Sequence, residues 1–258
     1  MKRTSLDDLG AGLARLGLPR NHVVIVHSSL LTFGLIEGGL PGVMRVLNEV
    51  LGEQTTLLMP AFTFAYGASR VWDSRTTPAE TGALTEYFRK RPGVLRTLHP
   101  FHSLSVSGPQ AQAFACCKHL SSFGPGSPFE QLVEMEAVNL ALGTEFVGGA
   151  TFLHHTEEVA AVPYRFYKEF PGQVLDAQGQ AQPDNFRMYV REITDAYEYD
   201  NDWAPVWDLF VSQGLVRQQN LAGANIFAMD IKPAHACFLS ELQDQPYYCA
   251  IKNIKERG

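Results

Sequence analysis

His22-Val-Val-Ile-Val-His27-Ser28-Ser29-Leu30 is a nearly unbroken run of β-branched residues that stops at small hydroxyl side chains. A strand with one wet face alternates apolar and polar residues. A strand apolar at every position is covered on both faces, as in a parallel sheet. Gly34, Gly38, Gly39, Pro41 and Gly42 follow it, and then Val43, Val46, Leu47 and Val50 fall on one stripe. That spacing predicts a helix from Pro41 to Leu51. Thr55 to Met59 reads as a second buried strand, stopped by Pro60. On the other side, Leu6, Leu9, Leu13 and Leu16 predict an amphipathic helix over Thr4 to Leu16. Thr4 or Ser5 caps it, Asp7 and Asp8 suit its first turn, and Pro19 closes the segment. Helix, strand, Gly-rich loop, helix, strand is a βαβ unit with a covered parallel sheet.

Further along, helices are expected over Gly82 to Arg91, over Pro109 to Leu120, and from about Phe129 after the turn-rich stretch Ser121 to Pro128. Leu104 to Ser107 reads as a short strand and Asn139 to Leu142 as a third apolar one, followed by Gly143, Gly148 and Gly149. Thr151 to Ala161 and Ile231 to Leu242 are expected helices. Between them, Pro163 to Gly214 is polar and aromatic (Tyr164, Tyr167, Tyr189, Tyr197, Tyr199), which predicts an antiparallel segment with loops. The expected fold is α/β: a central, mostly parallel or mixed sheet with helices on both faces and an antiparallel addition in the C-terminal half. Neither a repeat nor a long linker interrupts it, so one domain over residues 1–258 is expected.

Composition narrows the function classes. Of 258 residues, 45% are hydrophobic and 19% charged, which excludes wholesale disorder. Lys and Arg number 21 against 27 Asp and Glu, a net charge of -6, which argues against nucleic-acid binding by bulk electrostatics. Such a charge suits a small cationic substrate. No apolar run approaches the ~20 residues of a membrane span. The first twenty residues carry charges throughout and no apolar core, so a cytoplasmic location is expected. Cys116, Cys117, Cys237 and Cys249 lack zinc-site spacing and are expected as reduced, mostly core thiols.

Four places carry chemistry-bearing residues. In His154-His155-Thr156-Glu157-Glu158, His154 and Glu157 are three apart and share a helix face. A carboxylate beside an imidazole fixes its tautomer and raises its basicity, as a general base requires. The same spacing also describes a partly buried histidine satisfied by a neighbour. Metal binding by His154, His155 and Glu158 is disfavoured, because adjacent helical residues point roughly 100° apart. The second place is His27-Ser28-Ser29-Leu30 with Gly34, a strand end whose amides and hydroxyls can hold a phosphate or pyrophosphate, or simply form a turn. The third is Thr63, just past the second strand. The fourth is Thr97-Leu98-His99-Pro100-Phe101-His102-Ser103, a polar loop with residue 99 extended before proline.

With these in order, the chain resembles the aminoglycoside 3-N-acetyltransferase family from about Leu6 to about Pro246. The segments that carry the resemblance are VHSSL at 26–30 with Gly34, GG at 38–39, LLMPAFTF at 57–64, and Pro78 to Gly82. FRKRPGVLRTLHPFHSLSVSGP at 88–109, FGPGSPFEQL at 123–132 and FLHHTEE at 152–158 complete the set. The resemblance implies an α/β fold distinct from the GNAT acetyltransferases and acetyl-coenzyme A as co-substrate, with no metal. It implies His154 as catalytic base, Glu157 as its orienting carboxylate and Thr63 as a group assisting at the reacting centre. His27, Ser28, Ser29, Leu30 and Gly34, with Thr97, His99, Ser103 and Ser105, would line the coenzyme site. Around that crevice, Asp73, Glu80 and Glu158, and further along Asp184, Asp200 and Asp202, are candidates to attract a polyamine. Tyr66, Trp72, Phe101 and Tyr164 are candidates to stack on a sugar or, as such rings more often do, to pack in the core. The chain departs from the family at Ala150, often Asn, and at His155, usually apolar. The implied acceptor is an aminoglycoside or related amino sugar. Alternatives are another amine metabolite, a non-catalytic coenzyme A-binding protein, or a metal-dependent hydrolase. Self-association as a homodimer stays open.

Overall fold

Val23 to Val26 are all buried, as a run apolar at every position demands. In the computed structural model, which describes residues 3–221 and 223–255, they form the centre of a seven-stranded sheet. The outermost residues of the expected 1–258 unit lie outside the described residues. In chain order the strands are β1 (Val23–Ser28), β2 (Thr56–Pro60), β3 (Leu95–Arg96), β4 (Leu104–Ser107), β5 (Val138–Leu142), β6 (Val216–Leu221) and β7 (Ala224–Asp230). Their spatial order is β6-β7-β5-β1-β2-β4-β3. β1 runs parallel to β2, with Val24 opposite Leu57, and to β5, with Val26 opposite Leu140. The other four pairings are antiparallel. The sheet is therefore mixed, with parallel pairing confined to its middle three strands. The hairpins β3–β4 and β6–β7 have connections too short for a crossover, which forces them antiparallel.

The helices α1 (Leu6–Ala14), α2 (Gly39–Leu51) and α3 (Ala83–Arg89) cover one face of the sheet. Leu9, Leu13, Val43, Leu47, Leu84 and Phe88 pack there against Val24 and Val26. α4 (Pro128–Glu134), α5 (Leu153–Val159), α6 (Ala204–Ser212) and α7 (Ile231–Asp244) cover the other. Phe129, Leu153, Phe210 and Phe238 meet Val23 and Ile25 on that side. Successive strand residues face opposite ways, so one run feeds both cores, each buried side chain contributing about 1.5–3 kcal/mol. The α1 cap is Ser5, whose Oγ accepts from the Asp8 amide at 3.0 Å.

Several elements differ from the sequence reading, beginning with β3, β6 and β7, where no strand is expected. The helix expected over 109–120 is only Ala111–Ala115, because the chain then swings to bridge Ser121 to Arg187. The segment 163–214 does contain antiparallel strands: Arg165–Glu169 pairs with Arg187–Arg191, and Tyr197–Asn201 with Ala250–Ile254. It also contains α6, where strands and loops are expected. The cysteines are not mostly core: Cys249 is buried, but Cys117 and Cys237 are half-buried and Cys116 is exposed. No helix among the described residues is long and apolar enough to cross a membrane.

After β1 the chain reaches α2 on one face; after β5 it enters α5 on the other. Where neighbouring parallel strands send their connections to opposite faces, a crevice opens at their carboxyl ends. Gly143 lets the two loops approach. Its φ is +67°, and a Cβ there would stand 2.0 Å from Thr32 Oγ1 and 2.8 Å from the Ser29 carbonyl oxygen. Gly143→Ala is therefore expected to destabilise the protein by at least about 2 kcal/mol, read as a lower urea midpoint with unchanged slope.

Candidate active site

One turn of α5 brings its two central groups together. His154 Nδ1 lies 2.6 Å from Glu157 Oε2. Glu157 is 0% exposed, and its other oxygen accepts from the Tyr164 hydroxyl (2.8 Å), Arg165 Nε (3.0 Å) and Asn201 Nδ2 (2.9 Å). Burial alone would push this carboxyl up. The hydrogen bond and charge of His154, the Arg165 guanidinium and the Tyr164 hydroxyl outweigh it and hold the group at about 2. An ionised carboxylate can only accept, so Nδ1 must donate, and in the neutral ring the lone pair stands on Nε2. The His154 side chain is 32% exposed, between the rings of Phe123 (5.3 Å) and Trp203 (5.5 Å). A fixed tautomer, a free lone pair and an open edge are what a proton acceptor needs.

His155 does not join it. Its Nδ1 donates to the Phe123 carbonyl at 2.6 Å, and among the described residues no three His, Cys, Asp or Glu side chains converge as metal ligands.

The β1 loop forms the crevice's other wall. Ser28, Ser29 and Leu30 are partly buried, and the Ser29 amide donates to the Leu142 carbonyl at 2.8 Å, joining the two strand ends. Gly34, at φ +72°, closes the 3₁₀ turn Leu30–Phe33. His27 is buried, and burial brings its ring down to about 4, so it is neutral. Each of the three parallel strands is followed by an exposed apolar side chain: Leu31 (94%), Phe64 and Val147.

The remaining expected coenzyme contacts lie beneath the surface. Thr97, His99, Ser103 and Ser105 are all 0% exposed. Thr97 Oγ1 accepts from the Leu104 amide at 2.8 Å, and Ser103 Oγ donates to the Ala61 carbonyl at 2.8 Å. Thr97, His99 and Ser103 thus brace the β3–β4 hairpin, whereas Ser105 Oγ is buried with no hydrogen-bond partner among the described residues. Thr63 is also buried, its hydroxyl donating to the Pro78 carbonyl (3.3 Å) and accepting from Arg96 Nη2 (3.2 Å). Arg96, which the sequence reading passed over, also binds the carbonyls of Thr77 (2.5 Å) and Ala61 (2.7 Å) and Ser103 Oγ (2.9 Å). It lies over the Trp72 ring at 4.8 Å, and burial lowers it to about 9. It ties the loops after β2 to the hairpin.

Four of the expected acceptor contacts, Asp73, Glu80, Tyr66 and Glu158, have partners within the chain, and the expected rings Trp72, Phe101 and Tyr164 are buried. Asp73 takes two bonds from Arg75 (2.9 and 2.7 Å), which hold it at about 2. Glu80 accepts from the amides of Phe64 (2.8 Å) and Ala65 (3.2 Å). Tyr66 is buried and donates to the Phe170 carbonyl at 2.9 Å. Glu158 is buried, accepts from the Tyr167 hydroxyl at 3.1 Å, and is pushed up by burial.

Asp202, one of the expected acids, joins residues that were not expected in an open pocket whose Trp203 wall meets His154. Glu145, Phe146, Val147, Asn201, Asp202, Trp203, Trp207 and Phe227 line a cavity of about 660 Å³. Trp203 is the ring already in contact with His154, and Asn201 the residue bonded to Glu157. Phe146 and Trp207 stack edge to face at 5.2 Å. The signal for this wall was Asp202-Trp203-Ala204-Pro205-Val206-Trp207, two tryptophans one helical turn apart beside a carboxylate.

Set beside known proteins, the sequence profile of aminoglycoside 3-N-acetyltransferase matches residues 25–243. The chain belongs to this family and is an acetyl-coenzyme A-dependent N-acetyltransferase. Aminoglycoside N(3)-acetyltransferase VII of Streptomyces paromomycinus is 29% identical over 221 residues, 74% of this chain and 76% of that one. Aminoglycoside N(3)-acetyltransferase IX of Micromonospora chalcea is 27% identical over 248 residues, 86% and 87% of the two chains. The crystal structure of aminoglycoside acetyltransferase AAC(3)-Xa superposes with a TM-score of 0.81 at 26% identity, covering 94% of this chain and 93% of that one. AAC-IIIb, solved as a binary complex with CoASH, shares the fold at a TM-score of 0.79 and 24% identity, covering 95% and 98%.

Proposed function

We propose that the protein transfers an acetyl group from acetyl-coenzyme A to an amine of an aminoglycoside or related amino sugar, with His154 as general base and Glu157 orienting it. The observation that carries this reading is the Nδ1–Oε2 bond of 2.6 Å to a carboxylate held at about 2, which leaves Nε2 as the proton acceptor. His154 takes a proton from the acceptor's nitrogen and returns it to the departing sulfur, so no covalent enzyme intermediate is required. Arg165, Tyr164 and Asn201 keep Glu157 in place while the neighbouring ring changes charge.

The residues at the crevice fit a coenzyme A thioester. Partly buried Ser28, Ser29 and Leu30, beside exposed Leu31 and Phe64, offer polar backbone and apolar walls to a pantetheine arm. When bound, acetyl-coenzyme A supplies an acyl carbon made reactive by its sulfur leaving group. His27 and Gly34 shape that loop, while Thr97, His99 and Ser103 act through the hairpin they brace, and Ser105, buried beside them, would act only through its packing. Thr63 would assist by exchanging its Pro78 partner for a reacting atom. The relatives' names carry the acceptor class to this chain, and the cavity beside His154 is where it would sit. Glu145 and Asp202 attract ammonium groups there, and Trp203 and Trp207 offer faces to a cationic sugar.

A second reading keeps the chemistry and changes the acceptor. Two carboxylates amid four aromatic rings also suit an amine with fewer charges than an aminoglycoside. Thiol release with acetyl-coenzyme A and a panel from gentamicin to mono-amino sugars separates the two readings. No release with any amine, together with no rise in Tm on adding coenzyme A, would remove both. Trp207→Ala is expected to raise the acceptor KM by about tenfold, ~1.4 kcal/mol, leaving the acetyl-coenzyme A KM unchanged. The proposal treats the whole chain as one cytoplasmic catalytic unit, and sedimentation would show whether it works as a homodimer.

A further inference from the structure

A chain of hydrogen bonds beginning at two backbone amides ends on a ring that has no task in the reading above. His99 Nδ1 accepts from the amides of Phe101 (3.2 Å) and His102 (3.1 Å). Amides only donate, so this nitrogen carries no hydrogen. Burial, with His119 and His102 close by, keeps His99 well below the usual histidine range, so the ring is neutral and its hydrogen is on Nε2. That nitrogen lies 3.4 Å from Ser122 Oγ. The His99 hydrogen is shared with the backbone of Leu120 and Arg187, and a nitrogen that carries hydrogen cannot accept, so the Ser122 hydroxyl donates instead to His102 Nδ1 at 2.8 Å. Burial, then the charge of His154, hold His102 at about 3, so it too is neutral. With Nδ1 accepting, its hydrogen is on Nε2. The tautomer of His102 is thus set by backbone amides two links away.

The free edge of that ring belongs to the crevice. His102 is partly buried, and its Nε2 has no partner among the described residues and is not sealed from solvent. The ring packs against Phe62 and Phe123, both at 4.7 Å, and against Phe64 at 6.2 Å. Phe62 and Phe64 bracket Thr63, and Phe123 also meets the His154 ring at 5.3 Å. His102 and His154 therefore flank one aromatic floor.

Acetyl transfer needs a donor at one particular atom. The acceptor nitrogen forms a bond to the acyl carbon, and the carbonyl π pair moves onto oxygen. When that pair returns, the C–S bond breaks, sulfur leaves with its electrons, and the proton His154 took from nitrogen ends on sulfur. The oxygen is charged in between. The Thr63 hydroxyl already donates to Pro78. A neutral imidazole polarises such an oxygen without adding a competing charge beside the base. We propose that His102, through Nε2–H, binds the thioester carbonyl oxygen and stabilises the oxyanion. This rests on the acetyl-transfer reading above.

The test compares wild type with His102→Phe, which has no donor, and His102→Gln, whose amide keeps one. Isotope-edited infrared of bound [1-¹³C]acetyl-coenzyme A without acceptor reads polarisation directly. The C=O stretch is expected at lower frequency in wild type and His102→Gln, and at its free value in His102→Phe. With the best acceptor of the panel, kcat should fall about 100-fold in His102→Phe with little change in KM, and recover substantially in His102→Gln. An unchanged stretch and kcat in His102→Phe would overturn the proposal while leaving acetyl transfer intact. A wild type that neither binds nor turns over acetyl-coenzyme A would overturn the transfer reading itself. Should His102→Phe fail to fold, imidazole ¹⁵N signals of the wild type still decide: hydrogen on Nε2 supports the proposal, hydrogen on Nδ1 sinks it.

Discussion

His154→Ala is expected to lower kcat by about 10²–10⁴-fold, the range for loss of a positioned general base, while coenzyme A still raises Tm as in wild type. The substitution removes the one nitrogen whose lone pair the tautomer leaves available. The side chain is 32% exposed, so its loss opens no sealed cavity. Glu157 keeps Tyr164, Arg165 and Asn201 as donors and is not orphaned. Activity should therefore fall without a comparable fall in stability, which separates a chemical role from a structural one. Thiol release at saturating substrates measures it, and a variant turning over at the wild-type rate would remove His154 from the proposed role.

Glu157→Gln should damage both. Four donors converge on this carboxylate, and the glutamine amide must turn an N–H toward at least one of them. The mainly buried Arg165 guanidinium then loses its counter-charge, a loss of about 3–5 kcal/mol for a broken buried pair, or roughly 6–20 °C in Tm. The amide also no longer fixes which His154 nitrogen carries the hydrogen, and kcat should fall about 10³-fold or more. The acid limb gives a separate check. The Glu157 carboxyl is depressed from 4.5 to about 2 by folding. Its contribution is fully present above pH 4.5 and is lost as pH falls toward 2. Asp73 and Glu86 are also held at about 2 and titrate in both proteins. The difference in urea midpoint between wild type and variant should therefore shrink as pH drops from 4.5 to 2; a constant difference would contradict the assignment.

What could be read from the residues alone followed the range of the interaction. Val23 to Val26 announced a strand covered on both faces, because burial of every side chain leaves a local signature. His154 and Glu157 are one helical turn apart, so their meeting was visible in the spacing. Tyr164, Arg165 and Asn201 reach Glu157 from 7, 8 and 44 positions away, through strands whose pairing no local pattern fixes. The acidic acceptor candidates divide in the same way. Glu80 is held by the amides of Phe64 and Ala65, sixteen and fifteen positions back, which no local pattern shows; Asp73 is held by Arg75 only two positions on, a pairing that the sequence does offer. The tyrosine-rich stretch masked α6, although Val206 and Phe210, four apart and both buried, carry its period. His102 carries no local sign of the role proposed for it, since its partner Ser122 stands twenty residues on.

Asn201 both lines the cavity beside Trp203 and donates to Glu157. In the proposed reaction acceptor choice and proton transfer therefore share a part, and this bears on how the enzyme can be retrained. Selection for a new amine that altered Asn201 would slow every substrate alike, old and new. Phe146, Val147 and Trp207 border the same cavity without touching the carboxylate. A directed-evolution library confined to those positions should yield variants with shifted acceptor range at undiminished turnover, and one that includes Asn201 should lose most of its members to inactivity.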